Sequence, residues 1–164
     1  MPLTLDGNGD ISGLVAGALP SNVIGAGAVL QVVSATYSTS TSTASASYTD
    51  LGLSASITPS SATSKILVFV SINAVYKTGH NGSVAVNIVR GSTQITQMAV
   101  NGLSYTADTS ADQTACSMNY LDSPATTSST TYKIQFKNGA GSGGSVVIND
   151  SNASSTLTLM EIAA

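Results

Sequence analysis

The sequence predicts an all-β protein: an antiparallel β-sandwich, jelly-roll-like, with an extended amino-terminal arm. Three observations predict it. Apolar residues recur at every second position through most of the chain, which is the period of a strand with one buried face. Breaker clusters divide these runs at short intervals. No eleven-residue window carries a helical stripe.

The elements follow in chain order. Residues 1–27 are rich in Gly and Ala and form the expected arm, while 28–164 carry the strong strand signals and form the expected β domain. Val29 to Val33 and Ile66 to Val70 are continuously apolar, which suits central strands covered on both faces. Leu53-Ser-Ala55-Ser-Ile57 and Cys116-Ser-Met118-Asn-Tyr120 alternate cleanly, and Tyr132-Lys-Ile134-Gln-Phe136-Lys137 is the clearest case. Val84 to Arg90 alternates less cleanly, because Ala85 and Val89 occupy the other phase. Leu157-Thr-Leu159 alternates too; Met160-Glu-Ile162 then takes the opposite phase, the sign of a bulge or a change of face. Weaker strands are expected at Tyr48–Leu51, Gln94–Val100 and Val146–Ile148. Between them lie Thr58-Pro59-Ser60-Ser61, Gly79-His80-Asn81-Gly82, Arg90-Gly91-Ser92, Asp122-Ser123-Pro124 and the Gly-rich stretch from Asn138. The Asn81-Gly82 pair is a hairpin signal. Nine or ten short strands joined this way make one sandwich or jelly roll, with the strand order left open.

Composition removes several function classes. Charged residues are 8% of the 164, with 5 Lys and Arg against 8 Asp and Glu and a net charge of -3. Five basic side chains cannot supply the positive footprint that nucleic-acid binding needs. One Cys excludes a disulfide framework and a multi-Cys zinc site. Ser and Thr number 47, yet a mean hydropathy of +0.25 places the chain away from disordered sequences. The amino terminus lacks a basic signal-peptide region. Gly13 to Val33 is long enough to span a bilayer, but Pro20 interrupts it and no Lys or Arg flanks it, so no membrane insertion is expected.

The chemical motifs read as structure rather than chemistry. Asp6-x-Asn8-x-Asp10 opens like a calcium loop, but Ile11 stands where the sixth-position Gly belongs and Gly17 where the closing Glu belongs. A turn between Leu3-Thr-Leu5 and Ile11 is the better reading. Gly139-Ala-Gly141-Ser-Gly143-Gly144 meets a dinucleotide pattern, but a strand-like segment follows where a helix is required. His80 lies in a turn with no Gly-x-Ser-x-Gly elbow anywhere in the chain. Cys116 lies on the apolar phase of its strand, as a buried thiol would. Asp108, Asp112, Asp122 and Asp150 fall near loops, where Asp forms turns. The expectation is therefore no enzyme, no catalytic residue, no cofactor and no metal, with binding residues unassigned. So few charges leave an apolar surface to be covered by assembly.

Four segments resemble a family of bacteriophage virion proteins found in tail fibres and related surface components, cyanophages included. They are Leu3–Leu14, Ile57–Val68, Tyr120–Gln135 and Ser155–Ala164. The resemblance implies a homotrimeric, non-enzymatic β module on the virion, assembled in the host cytoplasm. Its partners would be tail, baseplate or major capsid proteins and, at the host surface, a glycan. Two functions follow: a tail-fibre-like attachment module, or a decoration protein that cements neighbouring capsid proteins.

Overall fold

One long two-stranded ribbon, folded over on itself, accounts for the topology. The computed structural model describes residues 4–5, 11–12, 25–79, 81–105, 113–140 and 144–164. Near the amino terminus β1 (Thr4–Leu5) pairs antiparallel with β2 (Ile11–Ser12); the turn expected between them, 6–10, lies outside the described residues. Ten strands follow: β3 (Val29–Tyr37), β4 (Thr41–Thr43), β5 (Thr49–Ile57), β6 (Lys65–Lys77), β7 (Val84–Arg90), β8 (Thr93–Leu103), β9 (Thr114–Asp122), β10 (Thr130–Asn138), β11 (Val146–Ile148) and β12 (Ser155–Ile162). A 3₁₀ turn, Asp150–Asn152, precedes the last of them.

The eight long strands pair first with last and inward from there. β3 pairs with β12, β5 with β10, β6 with β9, and β7 with β8, each antiparallel. Folding this ribbon places its rungs alternately in two sheets, β3-β12-β6-β9 and β5-β10-β7-β8. That order is a jelly roll. The short β11 and β4 extend the first sheet to six strands beyond the end of β12. The fold is thus an all-β antiparallel sandwich.

Alternation builds the core. Leu51, Leu53 and Ile57 of β5, Tyr132, Ile134 and Phe136 of β10, and Val86 and Ile88 of β7 face Ile66, Val68, Val70 and Ile72 of β6 and Leu157 and Leu159 of β12. All are buried. Each such aliphatic or aromatic side chain contributes about 1.5–3 kcal/mol relative to exposure.

Three expectations change, and a fourth resolves to one of its alternatives. The Asn81-Gly82 turn does not close a hairpin: β6 and β7 belong to different sheets, and the connection crosses between them. Asn81 is left-handed (φ 52) but Gly82 is not, whereas a type I′ hairpin turn needs both. The tight hairpin is instead β7–β8, where Gly91 (φ 59) holds the first central position and Arg90 faces Thr93. Neither continuous apolar run is covered on both faces. β3 is an edge strand with Val29 and Val32 more than half exposed, and Phe69 of the central β6 is 38% exposed. At the carboxyl end a bulge is present, with Leu30 as the extra residue between the Gln31–Glu161 and Val29–Ile162 partners. The face does not change: Ser155, Leu157, Leu159 and Glu161 all point inward, and the apparent phase shift arises because a buried carboxylate takes the fourth inward position.

Candidate functional site: two buried polar ties and an open sheet face

The first polar cluster ties the two sheets together. Asp122, at the end of β9 and 6% exposed, accepts from Arg90 Nη1 on both oxygens, at 2.8 Å on Oδ1 and 2.7 Å on Oδ2. Tyr132, from β10, donates its hydroxyl to Asp122 Oδ2 at 2.7 Å. Arg90 and Tyr132 are cross-strand partners in one sheet, while Asp122 belongs to the other. Burial pushes the Tyr132 phenol well above its ordinary range, and the bond to the Asp122 carboxylate adds to the shift. Asp122 thus accepts from a residue pair on the facing sheet, so the arrangement clamps the two sheets together.

The second cluster centres on Glu161, which is fully buried. Its Oε1 accepts from Ser60 N and Ser60 Oγ, both at 2.7 Å, and its Oε2 accepts from Gln31 Nε2. Gln31 Nε2 also donates to Thr58 O at 2.7 Å. Burial alone would raise this carboxyl, but the donors Gln31, Ser60 and Ser64 outweigh it and hold Glu161 below the ordinary glutamate range. Glu161 thereby anchors the Pro59–Ser64 connection to the sheet.

The remaining predicted positions do not assemble into a site. His80, Asp6, Asp10, Asp108 and Asp112 lie outside the described residues. Asp150 accepts from Gln113 Nε2 at 2.7 Å, at the opposite end of β9 from Asp122, so these two carboxylates cannot share an ion. Among the described residues no three His, Cys, Asp or Glu side chains could hold a metal. Cys116 packs against the core from β9, and burial pushes its thiol up to about 11, the condition of an unreactive cysteine. The Gly139 loop leads from β10 to β11, strand to strand, so its glycines present no helix terminus to a phosphate. Among the described residues no helix is long and apolar enough to cross a membrane.

Two further places hold open surface. A depression of about 470 Å³ is lined by Ser83, Gly102, Tyr105 and Ala140, and the chain continues from it into residues outside the described set. Ser83 Oγ nearby is buried without a hydrogen-bond partner. The other is the outer face of the six-stranded sheet, where a shallow groove of about 390 Å³ is lined by Phe69, Ser71, Ser117, Asn119, Thr156 and Thr158 together with backbone neighbours. Sequence reasoning missed this face. The only signal was the unbroken run Ile66–Val70, which a strand with one wet face does not need.

No protein family matches the chain, and no curated protein does. Among solved structures it is similar to the VP2 subviral particle of infectious bursal disease virus (TM-score 0.43, 16% identity, 82% of this chain and 37% of that one). It is also similar to the structure of the Gx strain of that virus (TM-score 0.36, 18% identity, 83% and 39%). The chain spans under two fifths of the length of either. Likeness at this level identifies neither family nor activity.

Proposed function

We propose that the chain is a non-enzymatic virion structural protein, a tail-fibre-like module for host-surface attachment. One observation carries the reading. Three of the four segments that resemble phage virion proteins supply residues of the two polar ties. Ile57–Val68 supplies Ser60, and Ser155–Ala164 supplies the Glu161 that accepts from it. Tyr120–Gln135 supplies both Asp122 and Tyr132. This supports reading the resemblance as one of architecture and not of Ser/Thr-rich composition alone.

In this reading residues 1–27 form the arm that docks on another virion protein, and 28–164 form the displayed domain, assembled as a homotrimer. The hydroxyl and amide side chains of its loops suit hydrogen bonding to a host glycan. Copy number tests the assignment. A few dozen copies per virion, labelled at the tail in electron micrographs, are expected. Hundreds of copies on tailless heads would replace attachment with capsid decoration. Absence from virions would end both. A protein lacking residues 1–24 should fold yet fail to incorporate; normal incorporation would refute the arm as anchor.

A further inference from the structure

The two outer faces of the sandwich differ in charge. On the four-stranded sheet, outward Lys133 Nζ lies 2.9 Å from outward Asp50 Oδ2, and Lys137 stands 4.8 Å from the centre of the Tyr48 ring. Among the described residues the outer face of the six-stranded sheet carries one charge, Lys65, and no ion pair. Across it Val32, Met160, Leu67 and Leu121 stand side by side on four successive strands. Val32 and Leu121 are each 54% exposed. On one side the neighbouring rows consist of Ser, Thr and Asn apart from Phe69; on the other, Val29 and Ile162 stand beside Lys65. Lys65 lies at one margin, where it donates to Ser123 Oγ at 2.8 Å.

We infer that this face is where a second copy of the chain docks, the apolar row of one copy seated in the hydroxyl-lined groove of the next. The inference assigns a face to the self-association in that reading and rests on none of its virion or attachment claims. Shape supports a like partner: the row is a ridge, and the groove past Phe69 and Ser71 lies directly beside it. A surface with ridge and groove side by side complements a copy of itself. Charge agrees, since a face with so few charges meets itself without like-charge repulsion. Area agrees as well. Four strands about 4.8 Å apart and four outward rows about 6.7 Å apart cover roughly 510 Å² of flat sheet. Two copies then bury about 1,000 Å² before side-chain relief is counted, which meets the roughly 1,000 Å² that a specific interface must clear. Sheet faces pack in this way inside sandwiches, about 10 Å apart.

Light scattering on the full-length protein tests it. Wild type should have a mass that is a multiple of 16.4 kDa. Val32→Glu combined with Leu121→Glu should give a folded monomer by circular dichroism, while Ser54→Glu, on the opposite sheet, should leave the mass unchanged. Should the double glutamate variant not fold, Val32→Thr with Leu121→Thr keeps strand-compatible side chains and should weaken association at least tenfold. A folded face variant that retains the wild-type mass would overturn the proposal. So would a monomeric wild type. In that monomer, dye binding raised by removing residues 1–24 would give the face to the chain's own amino-terminal segment, and unchanged dye binding would leave it to an unlike partner.

Discussion

Glu161 shows how one side chain governs a region. It occupies an inward strand position that alternation would give to a Leu, and it is tolerated there because Gln31 and Ser60 surround it with donors. A buried carboxylate without such partners would cost several kcal/mol. Its carboxyl is held below the ordinary range in the folded protein, so it binds a proton less readily folded than unfolded. The stability it contributes is therefore complete above the unfolded value, about 4.3, and is lost as pH falls through the lower folded value. Replacing Glu161 by Gln should cost about 2 kcal/mol at pH 7, the worth of hydrogen bonds to a charged group. Urea melts at pH 7 and pH 3 check this: the gap between wild type and variant should narrow at pH 3. A gap that is constant with pH would show that the ionised form is not what Ser60 and Gln31 stabilise.

Among the elements, β5 depends most on one residue. Two extra residues in β5 lie between the Ser54–Lys133 and Asp50–Gln135 partners, and Gly52 sits within that bulge with φ 101. The Tyr37 ring from β3 covers it so closely that an added Cβ would lie 2.7 Å from Tyr37 Cζ. Backbone and space both demand glycine here. Gly52→Ala should destabilise the protein by about 2 kcal/mol, read as a lower urea midpoint, and Tyr37→Ala in the same background should recover part of the loss. No recovery would place the whole effect in the backbone. Strand existence was legible in the sequence because Leu53, Ala55 and Ile57 or Tyr132, Ile134 and Phe136 alternate with polar residues. Pairing was not legible. Asn81-Gly82 has the local chemistry of a hairpin, but which sheet each flanking strand joins is decided by partners far away in the chain. The candidate site was less legible still. Arg90, Asp122 and Tyr132 look like unrelated surface, turn and core residues until the sheets are stacked, and the outward Leu67 and Phe69 look like core.

For the whole molecule the decisive fact is where the carboxyl-terminal strand lies. β12 runs between β3 and β6, so it lies inside its sheet. Both its partners come from far back in the chain: Leu159 faces Val33 on one side and Val68 on the other. Contacts of such separation must close long loops before they return any free energy, which makes folding slow, in the millisecond-to-second range typical of β-sandwiches. Removing residues 155–164 would take Leu157 and Leu159 from the core, leave one edge of β6 and the whole ladder of β3 unpaired, and strip Ser60 and Gln31 of their acceptor. Unpaired strand edges of this length template aggregation. The truncated chain should therefore appear in the insoluble fraction on expression, and adding the peptide 155–164 during refolding should restore soluble β structure by circular dichroism. A truncated chain that stays soluble and melts cooperatively would mean that β3 can reach β6 without β12, and the ribbon pairing of first strand with last would no longer be what holds the sandwich closed.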